Sequence, residues 1–167
     1  IHHPPAFLCN AGRVEATGGD FRHYYDGITP SVGRLIDAVD RERVAVADAL
    51  KAKTMPFVEL FYQMGYTTEA ARESGIAYEA FHQSEPDKWI PAPPQLEHRY
   101  FLEDVPYGHI IYSELGSLAG VPTPTIDHII HLASVSLGRD LTADALTLEK
   151  MGLAGVTKER FLDLLEN

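Results

Sequence analysis

Proline placement constrains this sequence more than any other feature. Prolines follow His3, Thr29 and Thr123, and each time an apolar stretch with helical spacing comes next. Proline fits the first turn of an α-helix because its fixed φ suits the helix and its missing N–H has no partner there. Inside a helix or a central strand it removes a hydrogen bond. The three positions therefore predict the starts of three helices.

The spacing of apolar residues predicts a mostly helical chain. Five prolines between residues 84 and 106 forbid a long helix in that segment, and its aromatic residues indicate a packed loop. The fold class is therefore predicted to be all-α with long packed loops, and residues 1–167 are expected to form one domain. The predicted helices cover residues 4–16, 30–53, 57–64, 68–75, 107–118, 124–137, 141–151 and 157–165.

Charge and cysteine content limit the classes of function. The formal net charge of −10 argues against nucleic acid and anionic membrane surfaces as partners, because both attract basic patches. No apolar run is long enough to predict a membrane span. Cys9 is the only cysteine, so no intrachain disulfide can form and a reducing, cytoplasmic compartment fits. Its apolar neighbours predict a buried, unreactive thiol.

Histidine and aspartate at helix starts are the candidates for chemistry. His3 stands at the head of the first predicted helix, and histidine is the side chain best suited to proton transfer near neutral pH. The adjoining His2 and His3 could also be a surface pair. Asp127 lies in the first turns of another helix, where a carboxylate is favoured by the helix dipole alone. Asp104, before Val105-Pro106, is interpreted as a turn or capping residue. No metal site and no nucleotide-binding glycine motif is predicted.

Four sequence blocks, taken together, point to a family. The first leads from His3-Pro4 into residues 8–15, Leu-Cys-Asn-Ala-Gly-Arg-Val-Glu. The second covers residues 25–32, the third covers residues 99–108, and the fourth covers residues 120–124 followed by Asp127. In this order the blocks resemble the C-terminal helical domain of the octopine/nopaline (opine) dehydrogenases.

That resemblance implies a two-domain enzyme. A Rossmann domain upstream of this chain would bind NAD or NADP, and the helical domain would be similar to the C-terminal domain of 6-phosphogluconate dehydrogenase. The enzyme would condense an amino acid with a 2-oxo acid and reduce the imine. The resemblance implies a catalytic dyad of His3, as acid/base, and Asp127, as the carboxylate that orients it. Asn10 and Arg13 would contact substrate carboxylates or hold their helix. The chain alone is expected to be inactive.

Two alternatives stay open from the sequence. One is a related 2-hydroxy-acid or ketopantoate-like reductase that forms no C–N bond. The other is a helical interaction module without chemistry. The oligomeric state is open as well, with a homodimer as one of the alternatives.

Overall fold

The regular structure of this chain is helical. A computed structural model describes residues 1–166, and within that part no β-strand forms, although Arg22 and Pro91 make one isolated bridge. The all-α prediction is confirmed, whereas the likeness to 6-phosphogluconate dehydrogenase stays a prediction. The α-helices are α1 (His3–Cys9), α2 (Ala11–Thr17), α3 (Pro30–Ala49), α4 (Phe57–Gln63), α5 (Glu69–Ser74), α6 (Ala77–His82), α7 (Arg99–Leu102), α8 (Ile110–Ala119), α9 (Pro124–Leu137) and α10 (Lys158–Glu166). A π-helical turn, Val105–His109, leads directly into α8.

The three proline-led starts form as predicted. Helices α1, α3 and α9 each carry proline in the first turn. With 20 residues, α3 is the longest helix, and it ends at Ala49 rather than continuing to residue 53. Within residues 1–166 we find no helix that is both long and apolar enough to cross a membrane.

Two predicted helices differ from the structure. The helix expected over residues 4–16 breaks at Asn10, whose buried amide donates hydrogen bonds to the carbonyl oxygens of Ala6 at 2.8 Å and Gly27 at 2.9 Å. The segment 141–151 forms turns instead of a helix. At its start the Asp140 carboxylate accepts hydrogen bonds from both the N–H and the hydroxyl of Thr142, a local pattern that competes with helix formation.

Two apolar cores hold α1 from opposite sides. Phe7 of α1 packs in a core with Phe101, Val105 and residues of α9. Ala6, one position earlier, belongs to a second core built mainly from α3, α4 and α6. Because interiors are close-packed, a helix held on both sides has little freedom to shift. The residue at its head, His3, is thereby fixed in position.

A carboxylate from α3 completes the start of α9. Glu42 accepts hydrogen bonds from the backbone N–H groups of Thr125 at 2.8 Å and Ile126 at 3.0 Å. The first N–H groups of a helix have no partner within the helix, and a negative charge there is favoured by the helix dipole. Glu42 therefore fixes the start of α9 against α3.

Candidate active site

His3 is held by hydrogen bonds on both of its ring nitrogens. Its Nδ1 lies 2.5 Å from a carboxylate oxygen of Asp104, and its Nε2 lies 2.8 Å from the hydroxyl of Tyr24. The side chains of His3 and Asp104 are 19% and 22% exposed, so a ligand can reach the pair. A carboxylate can only accept, so Nδ1 carries the proton and donates it to Asp104. The Nε2 lone pair is then left for the Tyr24 hydroxyl.

Asp104 stands between α7 and the π-helical turn. Pro106 in that turn has no N–H and cannot make an ordinary α-helical hydrogen bond. Val105 and His109 on either side of it are buried, which anchors the turn in the core. Wide turns of this kind occur frequently at functional sites. Here the turn follows directly on the residue whose carboxylate meets His3.

Burial and His3 act on the carboxyl of Asp104 in opposite directions. Burial by itself raises its pKa. The hydrogen bond from His3, together with the positive charges of His3 and Arg99, outweighs burial, so the pKa lies below its usual value. Asp104 is therefore ionised at neutral pH. It fixes the ring orientation of His3 and can stabilise the imidazolium that forms when His3 takes up a proton.

Two tyrosines contact the histidine ring. The ring of Tyr100 stacks on His3 with the centroids 4.0 Å apart and the planes 13° from parallel. Its hydroxyl lies 3.3 Å from that of Tyr24. Burial is the main reason that the pKa of Tyr24 is raised, so its hydroxyl stays protonated. The Tyr24 hydroxyl has one hydrogen, which it donates to Nε2 of His3. In the contact between the two tyrosines, the Tyr100 hydroxyl is therefore the donor.

The neighbouring His2 has a different environment. Its ring packs against Phe57 at 5.2 Å and Phe81 at 5.1 Å between centroids. Desolvation, assisted by the adjoining His3, lowers the pKa of His2 well below its ordinary value. His2 is therefore neutral at physiological pH, and only His3 is paired with a carboxylate.

The predicted contact between His3 and Asp127 is not formed. In residues 1–166 the Asp127 carboxylate instead accepts hydrogen bonds from the hydroxyls of Ser113 at 2.6 Å and Thr123 at 3.2 Å. It joins α8 to the first turn of α9. Asp104, interpreted from the sequence as a turn residue, makes the contact with His3. The block of family resemblance over residues 99–108 contains this aspartate, and that block was the signal in the sequence that could have pointed to it.

The side chains of Asn10 and Arg13 both bind other groups of this chain. Asn10 holds the break between α1 and α2 through the two hydrogen bonds described above. The guanidinium of Arg13 lies 4.1 Å from the ring centroid of Phe21, and one of its N–H groups donates to the carbonyl oxygen of Asp26 at 3.3 Å. The two residues line neither of the cavities that reach His3. These contacts fit the alternative of a structural role, and substrate contact by either residue stays a prediction.

Cys9 differs from its prediction. The thiol belongs to an exposed residue rather than a buried one. Cys9 is the last residue of α1, and its side chain faces away from the core that buries Phe7 and Asn10 on either side of it. Among residues 1–166 no group of three His, Cys, Asp or Glu side chains is placed to hold a metal ion.

Two cavities meet at His2 and His3. One has a volume of about 460 Å³, and its lining is mainly aromatic and aliphatic, with Phe57, Leu60 and Phe61 of α4 among it. The other is more open, with a volume of about 710 Å³, and its lining includes Asp104, Tyr107 and Gly108. Both volumes are typical of sites for small molecules and cofactors. His3 thus stands between two spaces that ligands can enter.

His23 lies fully buried behind the site. Its ring centroid is 4.8 Å from that of Tyr100, and neither ring nitrogen has a hydrogen-bond partner among the described residues. Burial lowers its pKa to about 3. A group whose pKa is depressed in the folded state contributes stability that is fully present above its unfolded pKa, which is about 6.5 for histidine. That stability is lost as the pH falls from about 6.5 toward 3.

We therefore expect His23→Phe to reduce the acid sensitivity of the fold. Between pH 7 and pH 5 the variant should lose less unfolding free energy than the wild type, by up to about 2 kcal/mol. Urea unfolding followed by circular dichroism at the two pH values measures this difference. His131→Phe, at an exposed position of α9, is the matched control and should behave as the wild type does. Equal acid sensitivity in His23→Phe and the wild type would show that His23 is not held neutral.

The fold and the site define a helical domain that presents a histidine–carboxylate pair to an open cleft. Such a pair is an arrangement for general acid–base chemistry. Residues 1–137 match the family described as NAD/NADP octopine/nopaline dehydrogenase, alpha-helical domain. The chain belongs to this family, and the resemblance noted from the sequence is confirmed.

Similar proteins also carry names from this class of enzymes. The chain is similar to an opine dehydrogenase of Arthrobacter sp. (strain 1C), with 41% identity over 94% of this chain and 42% of the relative. It is similar to a vitopine synthase of Allorhizobium ampelinum, with 26% identity over 99% of this chain and 44% of the relative. The chain spans less than half the length of these relatives.

Solved structures show the same fold. One is octopine dehydrogenase with NADH and L-arginine, at a TM-score of 0.66 and 19% identity, with 98% of this chain and 45% of that chain covered. Another is octopine dehydrogenase in complex with NADH and agmatine, at a TM-score of 0.67 and 20% identity, with 98% and 46% covered.

Proposed function

We propose that this chain is the substrate domain of an oxidoreductase that condenses an amino acid with a 2-oxo acid and reduces the imine with NADH or NADPH. The observation that carries the proposal is the accessible pair of His3 and Asp104 at the meeting point of two cavities. A Rossmann domain outside this chain would bind most of the cofactor. The family's description and the cofactor named with the solved structures support the nicotinamide as the hydride donor.

The open cavity beside Asp104 fits one face of a nicotinamide site. Its lining includes the ring of Tyr107, which is 58% exposed and offers an apolar surface to a planar group. Gly108 beside it has no side chain that could restrict access. When bound, the reduced nicotinamide supplies a hydride. His3 and Asp104, which belong to the same lining, would adjoin a nicotinamide held there.

Proton transfer by His3 accounts for the chemistry that the chain itself would contribute. When the substrate amine adds to the keto carbon, the resulting hydroxyl must leave as water, and this departure needs a proton. A substrate oxygen that replaces the Tyr24 hydroxyl at Nε2 would receive that proton from the imidazolium. The Asp104 carboxylate stabilises the charged ring before the transfer. Positioned acid–base groups of this kind contribute roughly 10²–10⁴-fold to rate.

Reductive amination by the full-length protein tests the proposal. Amino acids are crossed with 2-oxo acids in the presence of NADH or NADPH, and cofactor oxidation and the secondary-amine product are both measured. We expect oxidation only when amine and oxo acid are present together. Oxidation with a 2-oxo acid alone would favour the hydroxy-acid reductase. Absence of turnover with every combination would favour the interaction module. A cytoplasmic location and a homodimer stay predictions.

A further inference from the structure

One face of α4 forms a wall of the cavity of about 460 Å³. The wall consists of four large apolar residues at helical spacing, which are Phe57, Leu60, Phe61 and Met64. Phe81 of α6 packs against this wall, with its ring centroid 5.1 Å from that of Phe61. The inner part of the cavity is therefore made of packed aromatic rings.

The mouth of this cavity is apolar as well. Leu60 is 44% exposed and Met64 is 60% exposed, whereas the inner residues Phe57 and Phe61 are each 8% exposed. Large apolar side chains at the rim of a concave site gain from being covered by an apolar ligand. Buried and exposed residues alternate along this wall, so its apolar surface reaches from the core to solvent.

The described lining of the cavity offers a cation one carboxylate, and that carboxylate is buried. Apart from the histidines, the charged side chains among its described lining are Arg43 and Asp87. Asp87 is 7% exposed and accepts a hydrogen bond from Ser84 at 2.6 Å, and burial raises its pKa. Arg43 donates hydrogen bonds to Asp40, Thr54 and the Met55 carbonyl. A guanidinium or ammonium entering the cavity would lose water among apolar side chains, and Arg43, whose charge is paired with Asp40, offers it no attraction.

The same cavity reaches the acid–base pair. His3 and Tyr24 belong to its lining, so a molecule that fills the cavity lies beside Nε2 of His3. An amino acid whose side chain extends along α4 would thus hold its amino group at the position where the C–N bond must form. The volume accommodates a substrate of this size.

We propose that this cavity binds the side chain of the amino-acid substrate and selects apolar side chains over cationic ones. The selection rests on the proposed function. Phe57, Phe61 and Phe81 receive the side chain, and Leu60 and Met64 cover it at the mouth. The excluded class is the cationic amino acids, such as L-arginine.

Competing amino acids in the full-length enzyme test this selection. With one 2-oxo acid and saturating cofactor, kcat/KM for L-methionine or L-leucine should exceed that for L-arginine by about 10²-fold or more, because the cation would lose water among mainly apolar side chains. Met64→Glu and Leu60→Glu should each narrow this ratio about tenfold or more, since they place a carboxylate at the mouth. Both sites are exposed enough to accept the change without loss of the fold. Val135→Glu, at a 62% exposed site on α9, is the control and should leave the ratio unchanged.

The outcomes separate this inference from the proposed function. Turnover that is as fast with L-arginine as with L-methionine, or a ratio that neither glutamate variant changes, would overturn the selection while the reaction class stands. Absence of turnover with any amino acid would reject the proposed function. In that case calorimetric titration with L-methionine and L-arginine still decides the selection, since the cavity should bind the former more tightly.

Discussion

His3→Asn in the full-length enzyme is expected to lower kcat/KM for reductive amination by about 10²–10⁴-fold. Asparagine can keep a donor toward Asp104 but has no group that exchanges a proton near neutral pH. Nicotinamide affinity should change little, because the cofactor would be held mainly by the other domain. Steady-state kinetics and a separate fluorescence titration with NADH measure the two quantities.

The pH profile makes this test specific to proton transfer. In the wild type one limb of the profile of kcat/KM reports the acid/base group, and His3→Asn should remove that limb. His131→Asn, on the exposed surface of α9, controls for the loss of a histidine and should leave rate and profile unchanged. Turnover of His3→Asn within twofold of the wild type would reject His3 as the acid/base.

Asp104→Asn is expected to have the second-largest effect. The amide removes the negative charge that stabilises the imidazolium, and its N–H can direct His3 into the wrong tautomer. Loss of a carboxylate in an equivalent position of a histidine pair costs up to about 10⁴-fold in kcat. We therefore expect kcat to fall by about 10²–10⁴-fold, with a smaller change in KM. Because Asp104 acts through His3, the pH profile should shift as well, which a purely structural residue would not cause.

Asp127→Asn is the matched comparison. Its carboxylate accepts hydrogen bonds from Ser113 and Thr123, so we expect a loss of about 1 kcal/mol in unfolding free energy and little change in kcat. Together the two variants decide which aspartate serves His3. A collapse of kcat in Asp127→Asn alongside a nearly normal Asp104→Asn would restore the pairing suggested by the sequence.

The helix starts could be predicted from the sequence more accurately than the helix breaks. Proline after a short polar residue acts through local geometry, so the starts of α3 and α9 could be predicted from a few neighbouring residues. The break at Asn10 depends on the carbonyl of Gly27, which is 17 residues away. Nothing in the helical pattern of residues 4–16 indicates that this distant acceptor exists.

The same difference explains which site residues were found. His3 could be proposed because its place at a helix head is a local property. Its bond to Asp104 joins residues that are 101 positions apart and depends on a π-helical turn, which no apolar periodicity predicts. Tyr24 and Tyr100 were missed because aromatic residues in segments predicted to be loops cannot be told from core residues until their hydroxyls are placed.

The π-helical turn beside Asp104 is also held by a segment that lies beyond residue 137. The carbonyl oxygen of Pro106 in that turn accepts a hydrogen bond from the N–H of Leu146 at 3.0 Å. Leu141 and Ala145 are buried in the same core as Val105. The family match ends at residue 137, yet this later segment braces the turn that follows Asp104. We therefore expect a piece that ends at residue 137 to hold Asp104 less firmly against His3 than the whole chain does.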